Sequence, residues 1–245
     1  MISKRYRIIE EIGSGGIGKV LKAVDLLRQE TVAIKVLLSL EPEFISRFKA
    51  EFTLLKKLHH PNIIKVFDFG FNDRQELYFT MEYVESIKWQ EFLQPLNFPK
   101  FYSLLLQILS TLDFLHSKKI THCDIKPSNI LITTSPDGRL IIKFTDFGFA
   151  QHEKPEESSW WKGTLPYLAP EVIRGEQHTP QADLYSVGIL IHEILFGSTP
   201  FGEDDPMELA KSHLEKEVVI PQEPPIPIGL KNLILILVLY LNPNH

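Results

Sequence analysis

Ile120-Thr121-His122-Cys123-Asp124-Ile125-Lys126-Pro127-Ser128-Asn129-Ile130-Leu131, joined further on by Asp146-Phe147-Gly148, is the stretch on which the reading of this chain turns. Asp124, Asn129 and Asp146 carry side-chain oxygens of the kind that hold Mg2+ or receive a proton, each in a short segment flanked by β-rich apolar residues. Between them, Ile130 to Thr145 alternates around Pro136-Asp137-Gly138, a turn signal between two strands. A hairpin there is expected to bring Asn129 and Asp146 close, as one Mg2+ needs oxygen ligands from both sides of a phosphate chain. The chemistry this arrangement points to is metal-assisted phosphoryl transfer.

The bulk numbers are compatible with that. A chain of 245 residues, 44% hydrophobic, is long enough for one large domain or two small lobes with a filled core. The net charge of −5 argues against a general binder of nucleic acid or anionic membrane, which relies on a basic surface. The single cysteine, Cys123, excludes an internal disulfide framework and fits a reducing, cytoplasmic setting. Met1 to Arg7 lacks the apolar run of a secretory signal. Leu233 to Leu241 is roughly half of the about 20 residues a membrane span requires, so a buried helix is expected there.

Outward toward the amino terminus, Arg7 to Ile12 alternates into Gly13-Ser14-Gly15-Gly16-Ile17-Gly18-Lys19-Val20. Glycines let backbone amides approach phosphate oxygens with no Cβ in the way. A Walker phosphate loop nearly matches, but Val20 stands where a Ser or Thr would touch Mg2+. A dinucleotide fingerprint matches by letter. Both require a helix immediately afterwards, whereas Val20 to Val24 reads as a strand. Thr31 to Leu37 is a β-branched run from which one lysine, Lys35, projects and must find a counter-charge or water. Phe44, Phe48, Phe52, Leu55 and Leu58 recur at helical spacing, with Glu51 in the middle of that helix and Glu43 as the alternative partner for Lys35. Ile63 to Phe71 and Gln75 to Tyr83 read as two more strands. Asp68-Phe69-Gly70, a second copy of the later triplet, reads as a turn between strands.

These motifs, in this order, resemble the catalytic domain of eukaryotic-type protein kinases: Gly-x-Gly-x-x-Gly-x-Val at Gly13 to Val20, Val-Ala-Ile-Lys ending at Lys35, His-x-Asp-x-Lys-x-x-Asn at His122 to Asn129, Asp-Phe-Gly at Asp146, and Ala169-Pro170-Glu171. Cys123 replaces the arginine usual before the catalytic aspartate. The resemblance covers Ile8 to Pro243 and implies an α+β, two-lobed fold. Its small β-rich N-lobe spans 1–83 and its larger helical C-lobe spans 84–245 without the last helix.

It further implies ATP and Mg2+ as cofactors. Asp124 is then the proton acceptor, Lys126 the stabiliser of the transferring phosphoryl group, and Asn129 and Asp146 the metal ligands. Ile12, Gly13, Gly15, Gly18, Val20, Ala33, Lys35, Glu51, Met81, Glu82, Val84 and Leu131 are the nucleotide-binding residues. Met81 guards the back of the nucleotide site, and the backbone of Glu82 to Val84 holds adenine. His122 is structural. Asp183, in a buried helix from Thr179 to Phe196, braces the loop through its amides. Phe149 to Leu168 is an activation segment with Ser158, Ser159 and Thr164 as candidate phosphorylation sites and Trp160-Trp161 packed against the lobe.

The partner expected is a protein with a Ser or Thr acceptor, in preference to a small metabolite, because of Thr164 and Ala169 to Glu171; no nucleic acid is expected. A nucleotide-binding scaffold without chemistry is the rival reading. The family pattern continues past His245 with an arginine that pairs with the glutamate at Glu171. Glu171 is therefore expected to be partly solvated or unpaired, and regulatory regions to lie beyond residue 245.

Overall fold

The computed structural model of the chain describes residues 4–15, 17–92, 95–135, 137–150, 165–202 and 204–240. The chain forms two compact units, 1–86 with 133–149 and 87–132 with 150–245. The first unit thus regains the segment leading into Asp146 after the chain has left it.

The first unit is an antiparallel five-stranded sheet of order β1-β2-β3-β5-β4, built from β1 (Tyr6–Ser14), β2 (Gly18–Asp25), β3 (Glu30–Leu37), β4 (Val66–Phe71) and β5 (Leu77–Glu82). Val32, Ile34 and Val36 of β3 point to one face and join Tyr6, Leu21, Ala23 and Tyr78 in a buried cluster. The alternate residues Ala33 and Lys35 therefore point to the other face. Helix α1 (Pro42–Lys57) begins with a proline in its first turn, has Glu43 there and ends with Lys56 and Lys57, the charge order its dipole favours. Its Phe48 and Phe52 pack on Phe69 and Phe79 with ring centroids 4.9 to 6.1 Å apart.

Two strand expectations are corrected. Asp68-Phe69-Gly70 is no turn but lies inside β4. The Asp68 carboxylate accepts from Arg5 at 3.0 Å, Phe69 packs under α1, and a Cβ on Gly70 would come within 3.2 Å of the Tyr78 hydroxyl. The turn falls at Asn72–Gln75, where Gln75 is left-handed at φ 63°. Ile63 to Lys65 stand outside the sheet: Ile63 bridges Phe144 in parallel, and the Ile64 amide donates to the Phe144 carbonyl at 3.0 Å.

The second unit contributes α2 (Trp89–Phe92), α3 (Phe98–Ser117), α4 (Pro170–Ile173), α5 (Pro180–Phe196), α6 (Pro206–Glu215) and α7 (Ile228–Leu235), the last continuing as a π-helical turn, Ile236–Tyr240. Asn97, Thr179 and Asp205 cap α3, α5 and α6 with side-chain oxygens, and left-handed Gly197 ends α5. Helix α5 is buried along most of its length. It packs so closely on the final turn that a Cβ on Gly188 would meet the Val238 side chain at 2.6 Å. The last helix, expected from Leu230 to Leu241, starts at Ile228, and Leu241 lies outside the described residues. The predicted hairpin is present as β6 (Ile130–Thr134) and β7 (Leu140–Phe144). Among the described residues no helix is long and apolar enough to cross a membrane.

Glu171 is corrected in one respect. It is not solvated: it is 3% exposed, burial pushes its carboxyl up, and its Oε2 has no hydrogen-bond partner among the described residues.

Candidate active site

The glycine-rich segment is followed by a strand, so the two templates that require a helix fall away. Gly13 pairs with Val20 across β1 and β2, and the Gly15 amide donates to the Gly18 carbonyl at 2.9 Å. The glycines differ in what they permit. A Cβ on Gly18 would sit 2.6 Å from the Val36 carbonyl oxygen, so the sheet itself requires glycine there; one on Gly15 would meet no protein atom within 4 Å. Cross-strand register places Val20 beside Lys35 and Ala33 beside Met81, and paired residues of antiparallel strands share a face. Val20, Ala33, Lys35 and Met81 therefore line one side of the sheet. Ile12 is exposed on β1, and Val84 follows the end of β5.

On that face Lys35 Nζ lies 2.7 and 2.8 Å from the two Glu51 oxygens and 2.9 Å from Asp146 Oδ1. Glu51, not Glu43, is the partner; Glu43 pairs with Arg47 one helical turn on. Glu51 is 4% exposed, and the Phe147 amide donates to it. Burial works against a charged Lys35, but the carboxylates of Glu51 and Asp146 outweigh it and hold the ammonium above the ordinary lysine range. Burial also pushes the Glu51 carboxyl up against the pull of Lys35. Asp146 itself is left-handed at φ 59°.

The second unit holds the other set. Asp124 is 1% exposed, and its Oδ2 accepts from Lys126 Nζ at 2.8 Å and from Asn129 Nδ2 at 2.7 Å. Asn129 Nδ2 also donates to the Asp124 carbonyl at 2.8 Å, which fixes the amide with its oxygen on the opposite side. The loop is anchored by Asp183, whose carboxylate accepts from the backbone amides of His122 and Cys123, both at 2.9 Å. These bonds hold Cys123 left-handed at φ 66°, a conformation that costs a non-glycine residue roughly 1–2 kcal/mol. Buried His122 accepts from the Asp124 amide at 3.4 Å. Burial pushes the Cys123 thiol up to about 12, so it is a neutral group, bonded to the Thr121 hydroxyl at 3.2 Å.

Two positioning residues escaped the sequence reading. His116 of α3 bonds Asp183 at 2.8 Å, and the Trp89 indole donates to the carbonyls of Pro127 and Ile130 at 3.3 and 3.0 Å. Neither carries a local signal, since each acts across dozens of residues. Leu131 lies in β6, two residues after Asn129. Of the expected activation segment, Phe149 to Leu168, residues 151–164 with Ser158, Ser159, Trp160, Trp161 and Thr164 lie outside the described residues, as does Gly16.

The pattern of the protein kinase domain matches residues 6–234. The chain belongs to the protein kinase family. Its β-sheet unit and its helical unit are those of the kinase fold. The kinase domain is 34% identical over 247 residues to the probable serine/threonine-protein kinase PknB of Lactococcus lactis, covering 96% of this chain and 39% of that protein. It is 36% identical to the serine/threonine-protein kinase PrkC of Bacillus subtilis, over 96% of this chain and 37% of that one. With the serine/threonine-protein kinase PknA of Mycobacterium tuberculosis it shares 35%, over 95% and 56%. The chain thus spans between 37% and 56% of the length of these relatives.

Asp146 in the first unit and Asn129 in the second each carry a side-chain oxygen of a type that Mg2+ accepts. Among the described residues no group of three His, Cys, Asp or Glu forms a metal cluster of its own.

Proposed function

We propose that the chain is the catalytic domain of a serine/threonine-protein kinase that transfers the γ-phosphate of ATP to hydroxyls of protein substrates. The observation that carries this is Asp124, a buried carboxylate fixed by Lys126 and Asn129 on a loop tied to Asp183. The acceptor hydroxyl gives its proton to Asp124 as its oxygen bonds to the γ-phosphorus, while the bond to the β-phosphate oxygen breaks and ADP leaves. Lys126 offsets charge on the phosphoryl group in flight. Lys35, steadied by Glu51, takes the α- and β-phosphates. Asp146 and Asn129 are the residues that would hold Mg2+, which supplies charge neutralisation at the phosphates. Ile12, Val20, Ala33, Met81 and Leu131 offer apolar contact to adenine, Gly13, Gly15 and Gly18 leave room for the phosphates, and the Glu82 to Val84 backbone bonds the base. Protein substrates are supported by the names of the relatives and by the Thr164 and Ala169-Pro170-Glu171 stretch, and Ser/Thr acceptors by the same names and by the Asp-x-Lys-x-x-Asn spacing.

Labelling of a generic acceptor protein from radiolabelled ATP tests the reading. Asp124→Asn is expected to lose about 10²- to 10⁴-fold in turnover with nucleotide binding retained. Equal labelling by the variant removes the assigned base, and wild-type nucleotide binding with no labelling favours the scaffold.

Cys123 bears on regulation. An arginine in its place would meet an activation-loop phosphate with a charge-assisted bond. A neutral buried thiol does not, so activity is proposed not to depend strongly on loop phosphorylation. Loss of activity in Ser158→Ala/Ser159→Ala/Thr164→Val that phosphomimetic residues restore would count against this.

A further inference from the structure

Within the first unit, the segment assigned to adenine and the residue assigned to Mg2+ sit at the ends of different strands, Glu82 closing β5 and Asp146 following β7. A run of hydrogen bonds joins them. The Glu82 amide donates to the Lys65 carbonyl at 2.9 Å, and Glu82 Oε1 accepts from the Lys65 amide at 2.8 Å, so one residue grips Glu82 at both main chain and side chain. Lys143 Nζ donates to the same oxygen at 2.8 Å, with the two side chains 12% and 25% exposed. From Lys65 the chain runs back along β7. The Ile64 amide donates to Phe144, the Phe144 amide donates to Asn62 at 2.8 Å, and the Asn62 side chain donates to Ile142 at 3.0 Å. Lys143 is the side chain that reaches directly from β7 to Glu82, three residues before Asp146.

We propose that Lys143 is a positioning residue for the nucleotide, holding the Glu82 carboxylate so that the Glu82–Val84 backbone keeps a fixed place relative to β7 and Asp146. This rests on the nucleotide-binding reading above. A Glu82 carboxylate deprived of its cation keeps one amide donor and gains by turning toward water, which drags the last residue of β5 with it. The contrary account is that a part-exposed ion pair contributes a little stability and nothing else.

Nucleotide titration by calorimetry, beside thermal unfolding, separates the two. Lys143→Met is expected to weaken ATP and adenosine alike by about three- to tenfold, the scale of one such pair, and Lys143→Arg to restore most of the loss. In turnover, KM for ATP rises by the same factor while kcat falls by less. The inference is overturned by unchanged affinity in Lys143→Met, by a loss seen with ATP but not adenosine, or by a loss that Lys143→Arg shares in full. Wild-type protein that binds neither ligand sinks the nucleotide reading itself. Wild-type binding matched by Lys143→Met sinks this inference alone.

Discussion

Two buried carboxylates, Glu51 in the first unit and Asp183 in the second, are fixed by different means. In the first, Glu51 on α1 is held mainly by a side chain, Lys35 on β3, which also reaches Asp146. In the second, Asp183 on α5 is held by two backbone amides and a histidine. Side chains on long stems can separate and re-form as a helix shifts, whereas amides cannot leave without unfolding their loop. The first arrangement therefore suits a grip that can be loosened, the second a fixed platform.

Asp183→Ala should be the harsher test of that contrast. It strands the amides of His122 and Cys123 in the interior, releases the left-handed Cys123, and is expected to cost about 3–5 kcal/mol in urea unfolding together with activity. A loss below about 1 kcal/mol would erase the distinction between platform and grip.

Acid should reach the second unit before the first. Burial lowers His213 from 6.5 to about 4, and its Nδ1 accepts from the Tyr185 hydroxyl at 2.7 Å. A histidine with a lowered folded pKa is protonated more readily when unfolded, so its contribution is complete above pH 6.5 and lost as pH falls toward 4. The loss amounts to about 3 kcal/mol. Asp25 in the first unit is lowered from 3.8 to about 2 by the Arg5 guanidinium, so its contribution persists above 3.8 and disappears only toward pH 2. Hydrogen exchange followed from pH 7 to pH 4 should show protection falling first around α5 and α6, and His213→Phe should flatten that dependence. Simultaneous loss in the β-sheet unit would contradict the order.

The smallest stability effect is expected at the grip. With Lys35→Met, Glu51 can take a proton, as burial already favours, so unfolding should shift by only about 1–2 kcal/mol while nucleotide affinity drops at least tenfold. A stability loss as large as that of Asp183→Ala would show the ion triad to be a platform too.

Much of this was legible before any coordinates. Periodicity located α1, which buries Phe48, Leu54 and Leu55 along one stripe, and the order of short motifs picked out Lys35, Glu51, Asp124 and Asn129, whose contacts the structure displays. What misled was identical lettering in different surroundings. Asp68-Phe69-Gly70 reads like a turn until Phe69 is seen filling the space beneath Phe48 and Phe52, a partnership set by tertiary packing. Ile63 and Ile64 looked like strand because they are apolar and β-branched, yet they meet Phe144 of β7, some 80 residues away in sequence. Gly18 looked like a phosphate-loop glycine, and a separate demand, the Val36 carbonyl beneath it, was invisible without register. His116 and Trp89 left no trace because a hydrogen bond to a distant carbonyl or carboxylate has no period.

Trp89 also gives the molecule an optical readout. Its indole is clasped by two carbonyls that bracket Asn129, so the ring's emission depends on whether those few residues are folded. In a Trp160→Phe/Trp161→Phe background the remaining fluorophore would follow the loop's order directly, in solution and in real time, with no label attached.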